Sequence, residues 1–173
     1  MKANPTYRSL GDHTETLEIE YDMSRISYRE LLDIFWHSHN PSSRPYSRQY
    51  MPAVFYRNEM QKKLSGDSLK VHKQRTGTIY TKILPLIKFY PAEDYHQKYY
   101  LRHNRLFTQE LHAIYPNEKI FAASTATARV NGFLAGKGNR ELLVSEIDSY
   151  GLSDEAKMKL LAISGVDIKS YCK

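Results

Sequence analysis

The hydrophobic periodicity of this chain changes partway along, and the change limits the folds open to it. Up to residue 103, strand-like runs alternate with stretches of helical spacing; from residue 105 onward only helical spacing recurs. Residues 16–21 place Leu17, Ile19 and Tyr21 on one face and Thr16, Glu18 and Glu20 on the other, which predicts a half-buried strand. Ser27-Tyr28-Arg29-Glu30 reads as a capping box, with serine and glutamate three apart at a helix start. Tyr28, Leu31, Leu32 and Phe35 continue the helix as an apolar stripe. It should stop near His37–His39, because Pro41 disfavours helix in the residue before it. A loop rich in Pro, Ser and Arg covers 41–49, then a short buried strand is predicted over 51–56 and a polar helix over 58–73. A further strand over 78–84 and a helix over 93–103 follow. Strands alternating with helices argue for an α/β sheet packed by helices.

Beyond 105 the spacing predicts helices over 105–114, 118–134, 141–149 and 153–163. Gly151 and Gly165 sit where helices commonly stop. This part reads as a helical C-terminal extension.

Composition excludes several classes. The apolar fraction of 41% with 25% charged residues argues against disorder. No apolar run of the ~18 residues needed to span a bilayer is present, so no membrane partner is expected. No apolar leader follows Met1, and a cytoplasmic setting is expected. Lys62, Lys63, Lys70, Lys73, Arg75, Lys98, Arg102 and Arg105 are scattered among acids, so the net charge of +6 reads as solvated helix faces rather than a nucleic-acid surface. Cys172 is the single cysteine, which rules out an intrachain disulfide and leaves a thiol able to pair with another molecule. Fourteen tyrosines suit a partly open aromatic pocket as well as a core margin.

Taken singly, the residues able to carry chemistry are not diagnostic. Tyr7 and Glu15 are a tyrosine and an acid near a strand start, and Tyr50 opens a strand where aromatics usually pack. His37 and His39 fall at a helix end without a third ligand of obvious spacing, so no metal is expected. Glu93, Asp94 and His96 read as a helix N-terminus, where acids favour the positive end of the dipole.

Their order and wording are specific. Asn4-Pro5-Thr6-Tyr7, His13-Thr14-Glu15, Ile26-Ser27-Tyr28, Leu31-Leu32-Asp33-Ile34-Phe35-Trp36 with His39, Gln49-Tyr50, Ala53-Val54-Phe55-Tyr56 and the block from Phe89 to Tyr100 together resemble methionine sulfoxide reductase A. The resemblance covers residues 4–101 and implies a thiol-dependent peptide-methionine (S)-S-oxide reductase that acts on oxidised methionine in proteins or peptides. It implies thioredoxin as reductant and no cofactor. The implied fold is an α+β two-layer sandwich with a ferredoxin-like mixed sheet, covering residues 1–104, and residues 105–173 are a helical extension and tail of the same domain. By the same resemblance Glu15 is the proton donor to the sulfoxide oxygen, and Tyr7 and Tyr50 hold that oxygen. Cys172 corresponds to a resolving cysteine of the tail by its place in the chain. The His96 block is implied to be structural.

The chain departs from the family pattern twice. The Gly-Cys-Phe-Trp motif that supplies the family's nucleophile does not occur in these 173 residues, and the run Ser42 to Gln49 carries no acid where many members have an aspartate. The resemblance therefore implies an N-terminally truncated, animal-type member that lacks its first strand–helix–strand segment and is inactive alone. Two alternatives are a non-catalytic binder of oxidised methionine and an isoform acting through mixed disulfides at Cys172. Lacking that cover, the face formed by Leu17, Ile19 and Tyr21 should stand exposed, at a cost of ~1.5–3 kcal/mol for each large apolar side chain, leaving the chain marginally stable.

Overall fold

Ser27 and Glu30 close the box that opens the first helix: Glu30 accepts the Ser27 N–H at 2.7 Å and the Ser27 hydroxyl accepts the Glu30 N–H at 3.3 Å. The computed structural model describes Thr6, Ser9 and residues 11–166. The chain divides into two compact units, Met1–Pro91 and Ala92–Lys173.

In the first unit, α1 (Tyr28–His37) is followed by β1 (Ala53–Tyr56), α2 (Glu59–Thr76) and β2 (Lys82–Pro85). The two strands run parallel, with Ala53 opposite Lys82 and Tyr56 opposite Pro85, and α2 makes the crossover between them. Parallel pairing needs such a crossover because a tight turn can only reverse the chain. Helix α1 lies on α2 through polar as well as aromatic contacts. The Trp36 indole donates to the Ser68 hydroxyl at 2.6 Å, its ring stacks 4.5 Å from His72, and the Tyr28 hydroxyl pairs with Ser65 at 3.0 Å. Burial of Tyr28 pushes its hydroxyl above the ordinary tyrosine range. Among the described residues of this unit, Leu32, Trp36 and Met51 are the buried apolar side chains.

His39 is committed to the fold. Its Nδ1 faces the Phe35 carbonyl at 2.9 Å and must donate there, so in the neutral ring Nε2 accepts from the Thr81 hydroxyl at 3.0 Å.

The strand predicted over 16–21 is not formed. Leu17 is 81% and Ile19 53% exposed, and this stretch has no ladder neighbour among the described residues. Alternation creates a strand only where a second strand takes up its N–H and C=O groups. Leu17 and Ile19 therefore stand in solvent, while Tyr21 is half-buried.

The second unit is helical: a 3₁₀ turn at Asp94–His96, then α3 (Tyr99–Arg102), α4 (Arg105–Ile114), α5 (Glu118–Ala123), α6 (Thr125–Leu134), α7 (Arg140–Glu146), a second 3₁₀ turn at Ile147–Tyr150, and α8 (Asp154–Ile163). Phe107, Leu111, Phe121, Val130, Leu143, Ile147, Leu160 and Leu161 are sealed from water in one core. The helix predicted over 93–103 is broken because Lys98 adopts a left-handed conformation, φ 53°. The helix predicted over 118–134 divides at Ser124, which ends α5 and caps α6, its hydroxyl accepting the Thr127 N–H at 3.4 Å. Gly151 (φ 72°) and Gly165 (φ 69°) stop their helices as the sequence predicts, in a conformation that glycine adopts without cost.

Polar side chains bind this unit at its edges. Glu110 accepts the Ser153 N–H at 2.8 Å and the Ser153 hydroxyl at 2.6 Å, fastening α4 to the start of α8. Arg102 donates to Glu118 at 2.6 Å and lies 4.8 Å from the centre of the Phe121 ring. Helix α3 packs on α4 and α6, with the Leu101 N–H donating to Asn131 at 3.2 Å and Thr108 donating to the Leu101 carbonyl at 2.7 Å. These contacts tie α3, which precedes residue 105, to the helices that follow it.

The result is an α/β chain with a helical extension, as the sequence predicts, and its described sheet is the parallel pair β1–β2. No helix among the described residues is long and apolar enough to cross a membrane.

Candidate functional site

Two separate pieces of the first unit converge ahead of β1. One is the run from His13 to Thr16, the other the turn from Arg48 to Met51. Met51 is buried and anchors the turn, and its N–H donates back to the Arg48 carbonyl at 3.3 Å. The residue after it, Pro52, accepts from the Lys82 N–H at 3.0 Å, fixing the turn to the start of β2. Upstream, the Tyr80 N–H donates to the Pro41 carbonyl at 2.8 Å, so the 41–49 loop is held at both ends.

The His13–Thr16 run is stitched to that turn by its main chain. The Glu15 N–H donates to the Gln49 carbonyl at 2.9 Å, and the Thr14 hydroxyl donates to the Arg48 carbonyl at 3.0 Å. The His13 ring meets the Tyr90 ring edge-on at 5.3 Å, and Lys88 lies 4.6 Å from the centre of Tyr90. Further on, Glu18 pairs with Arg57 just past β1.

The side chains complete the site. Gln49 Nε2 donates to Glu15 Oε1 at 2.7 Å and to the Tyr50 hydroxyl at 3.2 Å. Glu15 is exposed and Tyr50 is 51% exposed, so both groups are open to an incoming molecule. A carboxyl and a phenol presented side by side can grip one polar oxygen, and a carboxyl can pass it a proton.

Of the predicted site residues, the structure brings Glu15 and Tyr50 together. Tyr7 and Cys172 lie outside the described residues. Gln49 stands in the Gln49-Tyr50 pair that carries part of the family resemblance, but nothing in the sequence gives it a role, since Glu15 is far away along the chain. Among the described residues no group of three or more His, Cys, Asp or Glu is arranged to hold a metal ion.

Comparison with known proteins gives the family. The family model described as peptide methionine sulfoxide reductase matches residues 1–128, more than half the chain. The chain is 40% identical to the peptide methionine sulfoxide reductase of Drosophila melanogaster over 152 residues, which is 86% of this chain and 61% of the relative. It is 37% identical to peptide methionine sulfoxide reductase A5 of Oryza sativa over 141 residues, 78% of this chain and 55% of that protein. To the peptide methionine sulfoxide reductase MsrA of Sulfolobus acidocaldarius it is 36% identical over 110 residues, 58% and 62% of the two chains. The chain thus spans roughly six-tenths of the length of the curated relatives it matches. With a match of that extent, the chain belongs to the peptide methionine sulfoxide reductase family.

Proposed function

We propose that this chain carries the oxygen-binding side of a peptide-methionine (S)-S-oxide reductase site. The observation that carries the reading is the shared amide that holds the Glu15 carboxyl beside the Tyr50 hydroxyl, in a chain of this family. The oxygen of methionine-S-sulfoxide is received by Tyr50 and Tyr7, and Glu15 protonates it. Protonation matters because sulfoxide oxygen leaves sulfur poorly while it carries negative charge.

The rest of the cycle needs thiols. A cysteine thiolate attacks the sulfoxide sulfur, oxygen passes to the cysteine as a sulfenic acid, and the thioether of methionine departs. A second thiol then displaces water from the sulfenic acid to form a disulfide, which thioredoxin reduces. Cys172 is the candidate for that second thiol. The first is not supplied by these 173 residues, which contain one cysteine and no Gly-Cys-Phe-Trp motif. A chain with this single cysteine fits a cytoplasmic, reducing setting.

Two measurements test the reading. With thioredoxin, thioredoxin reductase, NADPH and a methionine-S-sulfoxide peptide, this chain alone should consume no NADPH above background; steady turnover would refute its dependence on an outside nucleophile. In calorimetry the chain should bind the sulfoxide peptide more tightly than the thioether peptide, and Glu15→Gln with Tyr50→Phe should erase the preference. Equal affinity in the unaltered chain would overturn the assignment of the oxygen site.

A further inference from the structure

Gln49 makes three hydrogen bonds across this site. Its main-chain carbonyl accepts from the Glu15 N–H at 2.9 Å, and its side-chain Nε2 reaches Glu15 Oε1 at 2.7 Å and Tyr50 Oη at 3.2 Å. The amide nitrogen rather than its oxygen faces Glu15, and Oε1 accepts from it, which leaves Oε2 to carry the proton when Glu15 is in its acid form. That nitrogen carries two hydrogens, enough to serve Glu15 and Tyr50 at once. One atom therefore sets the spacing of the two groups.

The arrangement answers a problem created by exposure. A glutamate at the surface spreads over several rotamers, and holding it in one costs conformational entropy at the moment a ligand arrives. The Gln49 carbonyl fixes where the Glu15 backbone lies, and the Gln49 amide fixes where the carboxyl lies. The segment itself is anchored by buried Met51 and by the Pro52–Lys82 main-chain bond, neither of which involves the Gln49 side chain. Loss of the amide should thus leave the fold and disorder the pair.

We propose that Gln49 is the positioning residue of this site: its side-chain amide holds the Glu15 carboxyl and the Tyr50 hydroxyl at one spacing, so that a single sulfoxide oxygen meets both. The proposal rests on the oxygen-site reading above and extends it to a residue that touches no reacting atom.

The test uses the full chain, with calorimetric titration by a methionine-S-sulfoxide peptide and by its thioether counterpart. Gln49→Leu, close in volume but without the amide, should weaken sulfoxide binding by about tenfold, as expected for losing a hydrogen bond to a charged group, and leave thioether binding unchanged. Gln49→Glu keeps the shape, removes both donors and should do no better than leucine. In a Glu15→Ala, Tyr50→Phe background, Gln49→Leu should have no further effect, because the residue acts through those two partners. The Gln49 side-chain amide resonances give a readout independent of any ligand, and they should move in both Glu15→Ala and Tyr50→Phe. Equal affinity of the unaltered chain for the two peptides overturns the oxygen-site reading, and the positioning role falls with it. An unmoved amide spectrum, or an undiminished sulfoxide preference in Gln49→Leu, overturns the positioning role and leaves the oxygen-site reading standing.

Discussion

Phe107, Leu111, Phe121 and Leu160 of the 92–173 unit are sealed from water, whereas Leu17 (81%), Ile87 (75%), Met23 (73%) and Ile34 (60%) of the 1–91 unit stand largely in it. The helical unit is held by apolar burial, which needs no particular direction and grows with area at ~25 cal/mol per Å². The unit with the candidate site leans on directed bonds: Trp36 to Ser68, Tyr28 to Ser65, His39 to Thr81, Glu18 to Arg57. Each such bond contributes only about 0.5–1.5 kcal/mol net, and exposed ion pairs contribute less. The unit that carries the candidate site is therefore held less firmly than the helical one. Burial without direction secures the second unit, and directed bonds secure the first.

Substitutions in each unit put that contrast to the test. Phe107→Ala opens a cavity in the helical core and should cost about 3–5 kcal/mol, read as a lower midpoint in urea unfolding followed by helical circular dichroism. A loss below about 1 kcal/mol would remove the claim that this core carries the unit. Trp36→Phe removes the Ser68 bond and part of the His72 stack, and should cost about 1–3 kcal/mol. Hydrogen exchange should then speed up in α1 and α2 and stay unchanged across α4 to α8. Equal acceleration in both units would mean that they unfold as one and would dissolve the comparison. Leu17→Thr, at a side chain already in water, should change stability by no more than about 0.5 kcal/mol. Light scattering should show less self-association, since an exposed apolar residue near an unpaired main chain invites it. A loss of several kcal/mol would show that Leu17 is covered in solution.

The sequence was legible wherever a residue's neighbours along the chain decide its conformation. The Ser27–Glu30 box, the stop at Gly151 and the Ser153 start of α8 are local, and each is found where the spacing puts it. It was misleading where a partner from elsewhere is needed. Leu17, Ile19 and Tyr21 alternate correctly, yet without a ladder neighbour among the described residues the alternation produces no strand. Lys98 escaped notice because nothing in a lysine announces a positive φ. Glu15 and Tyr50 were found through family resemblance rather than through spacing. The amide joining them was invisible because it depends on 13–16 lying against 48–51, a non-local pairing that periodicity does not encode.

Ser124 has a consequence for how this helical unit tolerates change in length. It serves as the last cap of one helix and the first cap of the next, so α5 and α6 meet with no spare residue between them. Most joints in a protein absorb an inserted residue by bulging outward. Here an insertion would have to enter a helix, rotating everything after it by ~100° and carrying Ala126, Val130 and Phe133 off the core together. The corner is locked in length, and the register of the helices that follow depends on it.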